Sequence, residues 1–455
     1  MASVRVCAIT FDWYPFDVLV RRTAEAAADA GYTVDVICLR QPGQKAREIC
    51  NGVRVYRIPM ERGFGSSLLR TVFDWCCFLV LAGMMVTRLY LQRRYDVIHV
   101  HNIPDFLVFC ALIPKLLGAK IILEVQDVSP ELMAAKAKGP MLRELVTRLA
   151  TWQERLSSAF ADHVITVGEP FARLLRKRGI PEEKLTIILN SADPKLFPTS
   201  RLADQSAVGA INPPLQEDVS IPAAIEERPF ILMYHGTVAE RNGLDIALRA
   251  FEQARRVIPH LRFDIQGRGE YLPYIKQLAK ELGVSEHVIF TDPSPSDELV
   301  DFVVHGDIGI IPYRSDGFMD LVLPTKAYEF ALMQRPMIAS DTPAIRSMFR
   351  AESLMLCDPI SPGSFAEAII DLYRHPEKRE RLVANAAEDY RPYRWEIMAK
   401  RYRQLLLALS QGRVATGYIA RKDGRAFLPL MDSHKDSSPA ASSPLTSTEV
   451  GTTSA

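Results

Sequence analysis

Short apolar segments alternate with helical segments along most of this chain, and this alternation constrains the fold more than any other feature. Residues 4–10, 33–39 and 120–125 are typical of buried strands, and segments with helical periodicity lie between such strands. Strands joined by helices form a mostly parallel sheet that is covered on both faces. Because ligands of such sheets bind beyond the carboxyl ends of the strands, the residues that follow strands are the site candidates.

The alternation is interrupted once, between residues 193 and 228, by a stretch rich in Pro, Ala and acidic residues. A second α/β unit then begins at residues 230–236, so we predict two domains that face a cleft. The predicted divisions are an N-terminal domain over 1–195, a linker with an inserted loop over 196–228, a C-terminal domain over 229–394, a terminal helix over 395–411 and a disordered Ser/Thr/Pro-rich tail over 412–455.

Composition excludes several classes of protein. A chain of 455 residues with 48% hydrophobic content can bury two ordinary cores, and a net charge of +1 argues against a nucleic-acid partner. The seven cysteines lack the paired spacing of a zinc site or a disulfide framework, so we predict reduced thiols, no metal and a cytoplasmic protein. Residues 1–10 already read as a strand rather than a signal peptide.

One uncharged block, residues 75–87, needs a separate interpretation. Asp74 and Arg88 close it well short of the roughly 20 residues that a membrane span requires, so we do not expect a spanning helix. Two alternatives remain, and they are compatible. The block forms a buried core helix, or it forms a helix whose apolar face rests on a bilayer with help from Arg88, Arg93 and Arg94.

The stretch 323–341 carries the strongest chemical signal. Pro324 is suited to a helix start, and the following turns place Lys326 and Glu329 on one face near the helix N-terminus. A cation there can neutralise a diphosphate, and a carboxylate can accept both hydroxyls of a ribose. The alternative is an ordinary surface ion pair on an amphipathic helix.

Two further strand ends in the second unit are candidates. The turn from Gly236 to Gly243 opens a helix, and its backbone amides together with Arg241 suit a phosphate, although such turns are common. Gly267 and Gly269 also follow a strand, but they lack the full dinucleotide spacing and the acidic residue that an NAD enzyme requires.

In the first unit, His101 and Asn102 end a buried strand and can hydrogen-bond a hydroxylated acceptor, with a structural histidine as the alternative. Glu124, Asp127 and Glu131 share one loop, for which a solvated acidic loop is the alternative. No serine or cysteine nucleophile motif and no metal-ligand set is visible in the sequence.

Nearly the whole chain up to about residue 410 resembles the large family-four group of retaining, GT-B-fold glycosyltransferases. The pieces that carry the resemblance are, in order, residues 13–17 with 24–31, 95–102, 165–171, 184–190 with Asp193 and Phe197, 234–243, 265–269, 307–312, 329–336 and the terminal Trp395-Glu396 helix. The resemblance implies two Rossmann-like domains facing a central cleft, with the terminal helix crossing back to the N-terminal domain.

The resemblance places Glu329 on the glutamate that holds the nucleotide ribose. The family's other glutamate falls on Leu321, so Lys326 or Asp316 is the expected substitute. The family's diphosphate-binding arginine and lysine fall on Thr237 and Asn242, which leaves Arg241 as the stand-in. The family's first-domain His-Asp pair reads Gln126-Asp127.

These arguments give the predicted site. The expected catalytic residues are Arg241, Lys326, Asp127 and His101. The expected nucleotide-binding residues are Gly236, Thr237, Arg241, Gly267, Gly269, Asp316, Lys326 and Glu329.

The resemblance implies metal-independent transfer of a sugar, with retention, from a UDP- or GDP-linked donor to a hydroxyl acceptor. The apolar block and its arginines favour a lipid-linked or cell-surface polysaccharide acceptor at the inner face of a membrane. The alternatives are an inactive homologue that acts as a scaffold or binding protein, and an epimerase or phosphorylase on the same architecture.

Overall fold

The protein forms two α/β domains in a computed structural model that describes residues 3–60, 68–136, 139–197, 228–293 and 296–413. The predicted inserted loop and nearly all of the predicted tail lie outside the described residues. The predicted alternation of strands and helices is confirmed in both domains.

The first sheet contains eight strands within the described residues, in the order β3-β4-β2-β1-β5-β6-β7-β8. They are β1 (Arg5–Trp13), β2 (Thr33–Leu39), β3 (Arg47–Cys50), β4 (Val53–Ile58), β5 (Val97–His101), β6 (Lys120–Val125), β7 (His163–Thr166) and β8 (Leu185–Ile187). All neighbours pair in parallel except β3 and β4. The central strands are apolar and buried along almost their whole length, as expected for a sheet covered on both faces.

The helices of the first domain form two layers. They are α1 (Val18–Asp29), α2 (Leu68–Arg93), α3 (Leu112–Leu116), α4 (Ser129–Lys136), α5 (Pro140–Phe160) and α6 (Glu169–Lys177). A 3₁₀ segment, Asp105–Ala111, leads into α3 and packs between α2 and α5. Residues 105–116 are therefore a 3₁₀ segment followed by one short α-helix.

The second sheet has the parallel order β11-β10-β9-β12-β13-β14. Its strands are β9 (Phe230–His235), β10 (Leu261–Gln266), β11 (Val288–Thr291), β12 (Ile308–Ile311), β13 (Met337–Ser340) and β14 (Met355–Cys357). The helices that follow are α7 (Leu244–Arg255), α8 (Leu272–Glu281), α9 (Ser296–His305), α10 (Thr325–Leu332), α11 (Pro343–Met348), α12 (Pro362–Arg374), α13 (Pro376–Tyr390) and α14 (Trp395–Ser410).

The last two helices join the domains. On α13, the Tyr390 ring stacks on Tyr328 of α10 with 5.5 Å between centroids, while its hydroxyl accepts the Ala192 N–H at 3.0 Å. On α14, Arg401 donates to the Ile187 carbonyl at 3.1 Å. The terminal helix therefore packs on the N-terminal domain, as the resemblance implied.

Helix α2 differs from its prediction in length. It runs over Leu68–Arg93, because Asp74 is buried beside Arg70 and does not end the helix. Within the described residues, it is long and apolar enough to cross a membrane by length and composition, so the argument that the block is too short was wrong. Only part of it is a core helix, because 28% of its most apolar stretch is buried.

Candidate active site

A cavity of about 320 Å³ opens at the carboxyl ends of β9 and β12 and faces the first domain. We call it the Lys326 cavity. Its lining residues are Asp127, His235, Gly236, Thr237, Arg241, Asn242, Tyr313, Phe318, Met319, Val322, Thr325, Lys326 and Glu329. Five of the predicted nucleotide-binding residues, Gly236, Thr237, Arg241, Lys326 and Glu329, thus lie around one cavity.

Helix α10 carries the central cation. It follows Pro324 and buries Ala327 and Phe330 in the core, which turns Lys326 towards the cavity. Lys326 is only 4% exposed, and its Nζ lies 3.7 Å from the ring centroid of Tyr234. Burial lowers the pKa of Lys326 to about 7, partly opposed by Glu329. Lys326 is therefore not part of a solvated surface pair.

Glu329 lies one turn further along α10 and faces His235. His235 Nε2 is 3.2 Å from Glu329 Oε2, yet among the described residues neither atom makes a hydrogen bond of regular geometry. Burial raises the pKa of Glu329 to about 7, opposed by Lys326 and Arg22, and burial lowers the pKa of His235 to about 3. A neutral imidazole thus lies against a carboxyl group whose Oε2 has no regular hydrogen bond, which leaves capacity for a ligand hydroxyl.

The turn from Gly236 to Gly243 is fixed by hydrogen bonds. The Thr237 carbonyl accepts from Tyr234 Oη and from Asn242 Nδ2, both at 2.6 Å. Gly243 has φ +66°, and a Cβ there would lie 1.8 Å from the Pro312 carbonyl oxygen, so only glycine fits. The fixed turn presents the exposed Arg241 at the cavity, on the same wall as Lys326.

Three predicted nucleotide-binding residues support the cavity from outside its lining. A Cβ on Gly267 would lie 2.0 Å from the Gly236 carbonyl oxygen, and one on Gly269 would lie 2.1 Å from that of Val238. These glycines therefore allow the β10 loop to pack against the Gly236 turn. Asp316 accepts from the backbone N–H groups of Phe318 and Met319, at 2.8 and 2.6 Å, and thereby shapes the turn that lines the cavity.

The first domain contributes Asp127, which follows β6. Asp127 lines the Lys326 cavity and also an adjoining cavity of about 260 Å³, which residues of both domains enclose. Asn102 fixes this loop, because its amide donates to the Asp127 carbonyl and accepts from the Gln126 N–H, at 2.7 and 2.8 Å. Asn102 therefore holds the Asp127 loop, and its predicted role towards an acceptor stays a prediction.

His101 occupies a different environment. It forms a fully buried cluster with His99 and Glu124, which we call the His101 cluster. Glu124 Oε2 lies 2.9 Å from His99 Nε2 and 3.1 Å from His101 Nδ1. Burial opposes ionisation of Glu124, but His101 and His99 outweigh it and lower the pKa of the carboxyl group.

The His101 cluster is connected to the crossover helix on one side and, through Gln126, to the smaller cleft cavity on the other. His99 Nδ1 lies 2.9 Å from the Tyr402 hydroxyl of α14, and burial lowers the pKa of His99 to about 4. The three ligand atoms are close enough together to hold a metal ion. The pairing of the carboxylate with both rings also accounts for their burial without an ion.

Sequence reasoning missed His235, which lines the Lys326 cavity, and Tyr234, whose ring packs against Lys326. His235 ends β9 directly before the Gly236 turn, and the same strand-end argument applied to its neighbours could have identified it. What the sequence does not reveal is that His235 meets Glu329, because the two residues are 94 positions apart.

The structure combines two Rossmann-like domains whose strand ends face a cleft with one wall that carries Lys326, Arg241 and Glu329. This combination defines the GT-B class of glycosyltransferase. The structure of sucrose-phosphate synthase (tll1590) from Thermosynechococcus elongatus is similar, with a TM-score of 0.66 and 17% sequence identity over 90% of this chain and 100% of that one. So is that of Anabaena Alr3699/HepE in complex with UDP-glucose, with a TM-score of 0.60, 15% identity, and 89% and 99% coverage.

Comparison of sequences agrees with the fold. The Glycosyl transferase 4-like domain matches residues 17–191, and the Glycosyl transferases group 1 domain matches residues 216–389. The chain belongs to the group 1 glycosyltransferases. A curated relative, the D-inositol 3-phosphate glycosyltransferase of Thermomonospora curvata, is 23% identical over 62% of this chain and 65% of its own. The match thus spans just under two thirds of that relative's length.

Proposed function

We propose that the protein transfers a sugar from a nucleotide-sugar donor to a hydroxyl acceptor, with retention of anomeric configuration. The observation that carries the proposal is the convergence of Lys326, Arg241 and Glu329 on one cavity that opens towards Asp127 of the other domain. The nucleotide sugar bound to the similar Anabaena structure supports this class of donor.

The chemistry follows from where charge develops. The bond between the sugar's anomeric carbon and the diphosphate breaks, a bond to the acceptor oxygen forms, and the nucleoside diphosphate leaves with increased negative charge. Lys326 and Arg241 lie on the wall where that charge would be stabilised, and such stabilisation is commonly the largest catalytic contribution. Because two side-chain cations supply it, the proposal includes no metal.

The acceptor proton passes to the departing phosphate oxygen in this proposal, so a dedicated base is not required. Asp127 lines the cavity and is placed to orient the acceptor or the sugar. His101 is separated from the cavity by its own cluster, so its predicted catalytic role would have to be indirect, through the loop that carries Gln126.

The substrates are the finer part of the proposal. The donor is UDP- or GDP-linked, with Glu329 accepting the ribose hydroxyls. The acceptor is a lipid-linked or cell-surface glycan at the cytoplasmic face of a membrane, which the exposed apolar side chains of α2 support. Domain closure over the cleft would exclude water, which otherwise hydrolyses the donor.

The test is incubation of the purified protein with a panel of nucleotide sugars and detection of the free nucleotide that appears. We expect one nucleotide to be released, and we expect Arg241→Ala to slow its release by orders of magnitude without loss of fold. Tight nucleotide binding without release of nucleotide from any donor, even with acceptor-rich lipid extract, would instead favour the scaffold alternative. That alternative is supported by Leu321, which stands where the family has its other glutamate.

A further inference from the structure

Helix α5 of the N-terminal domain buries polar residues and exposes apolar ones, whereas a surface helix of a globular protein normally does the reverse. The residues it buries are polar, namely Glu154, Ser157 and Ser158. Its exposed stripe recurs every three to four residues and is apolar: Leu142, Leu145, Leu149, Trp152 and Leu156, which are 41–64% exposed. A helix that lies between a protein core and water shows an apolar face towards the core and a polar face towards water.

Helix α2 has a second exposed apolar stripe. Phe73, Val80, Met84 and Leu91 are 59–61% exposed, while Phe78, Ala82 and Val86 on the opposite face are fully buried. The buried face holds α2 on the domain, where it contacts β1, β2 and β4. Because α2 is part of the domain core on one side, its outward side chains lie on the surface of the protein.

The short helix α3 joins these two stripes. Leu112, Ile113 and Leu116 are 49–77% exposed, and Ile113 lines a groove of about 520 Å³ together with Met84 and Leu91 of α2. On the other side, Lys115 of α3 lies over the ring of Phe160 at the end of α5. The exposed apolar side chains of α2, α3 and α5 therefore belong to one face, which we call the outer apolar surface.

The charges within this face have one predominant sign. Arg88 lines the groove between α2 and α3, and Arg155 is exposed one turn after Trp152 on the edge of the α5 stripe. The acidic residues of the two long helices are engaged by arginines, since Asp74 pairs with Arg70, Glu144 with Arg148 and the buried Glu154 with Arg178. Apolar side chains bordered by arginines fit a bilayer that contains anionic lipids.

We propose that the outer apolar surface docks the N-terminal domain flat on an anionic lipid bilayer, with the stripes of α2 and α5 at the boundary between headgroups and acyl chains. This inference rests on the proposed function, because docking would bring the transferase to a lipid-linked acceptor in the membrane. Helix α4, which leads into α5, starts two residues after Asp127, so the docked face adjoins the cleft.

The test is flotation of the full chain with vesicles of neutral phosphatidylcholine, or of the same lipid mixed with phosphatidylglycerol. We expect binding to the anionic vesicles, and a loss of about tenfold or more in partitioning for Leu145→Ser/Leu149→Ser, because two exposed leucines contribute additively to insertion. The matched control is Ile289→Ser/Ile360→Ser, which changes two exposed isoleucines of the C-terminal domain and should bind like the wild type. Arg88→Glu/Arg155→Glu should weaken binding to the anionic vesicles selectively.

Two outcomes would overturn the inference. One is unchanged partitioning of the leucine variant, or no binding of the wild type to either vesicle. The other is a wild-type dimer in analytical ultracentrifugation that the leucine substitutions convert to a monomer, because the surface would then join two copies of this chain. UDP titration of the same variants separates the proposals, since vesicle binding needs no donor and failure to bind UDP would count only against the proposed function.

Discussion

The two domains place similar polar groups at the ends of parallel strands, but they use them differently. In the C-terminal domain, Glu329, His235 and Lys326 surround a cavity open to a ligand. In the N-terminal domain, Glu124 lies between His99 and His101, and all three are closed off from the cleft cavities among the described residues. A carboxylate beside a histidine is therefore a candidate site in one domain and a structural pair in the other.

The two groups differ in whether their polar side chains could exchange a protein contact for a ligand. In the His101 cluster, His99 contacts Tyr402 of the crossover helix, and His101 contacts Gln126 on the side of the cleft. Lys326 is stacked on Tyr234, a contact that a diphosphate could replace. If this distinction holds, substitutions in the C-terminal domain change ligand binding, whereas substitutions in the His101 cluster change stability.

The largest effect is expected for Lys326→Met, which removes the buried cation and keeps most of the side-chain volume. Turnover of the donor should fall by about 10²–10³-fold, because one charge no longer stabilises the leaving diphosphate. Lys280→Met, at an exposed lysine of α8, is the control. Wild-type kinetics of the Lys326 variant would remove this residue from the site.

The next largest effect is expected on the stability of the N-terminal domain, when Glu124 of the His101 cluster is substituted. Glu124→Gln should lower the free energy of unfolding by about 2–3 kcal/mol, because two buried imidazoles lose a charged partner. Nucleotide affinity should stay within about twofold of the wild type, as far as additivity of distant sites holds. Urea denaturation and UDP titration measure the two quantities, with the exposed Glu144→Gln as the control.

If Glu124→Gln were instead as stable as the wild type but inactive, the His101 cluster would take part in the reaction. The distinction between the two domains would then be wrong.

A smaller effect is expected for Glu329→Gln. The wild type should bind UDP about tenfold more tightly than 2′-deoxy-UDP, because the carboxylate accepts the ribose hydroxyl, and the variant should lose most of that preference. Competitive displacement of a fluorescent nucleotide measures both affinities. Glu286→Gln, on the surface of the same domain, should keep the wild-type preference.

The smallest effect is a pH dependence. A bound diphosphate favours the protonated form of Lys326, whose pKa in the free protein is about 7. A ribose hydroxyl that donates to Glu329 favours its ionised form, which already predominates above its pKa of about 7. Binding therefore takes up protons, and affinity for UDP should weaken severalfold between about pH 7 and 8.5. Isothermal titration across this range should show a shallower dependence for Lys326→Met. Affinity that increases with pH in the wild type would contradict this assignment.

Much of the fold was predictable because strand and helix periods are local properties. Strands β2 and β6 begin and end where the pattern indicated. Strands β3 and β14 were missed, since they are four and three residues long and lie at sheet edges. The extent of α2 was missed because the pairing of Asp74 with Arg70 is not visible as a pattern of apolar residues.

The site was predictable to a lesser extent. Lys326 and Glu329 were found because Pro324 marks a helix start and their spacing places them on one helix face. Arg241 was found because its turn directly follows β9. The indirect roles of Gly267, Gly269 and Asp316 depend on how two loops pack, which no spacing reveals. The meeting of His235 with Glu329 likewise depends on tertiary structure, and whether the predicted residues bind a nucleotide stays a prediction.

The central claim is that the Lys326 cavity holds the diphosphate of a nucleotide sugar. A crystal structure of the protein with UDP tests it most directly. We predict a diphosphate oxygen within about 3 Å of Lys326 Nζ, with Arg241 turned towards it and the ribose hydroxyls on Glu329. UDP bound elsewhere, with Lys326 still stacked on Tyr234, would contradict the account.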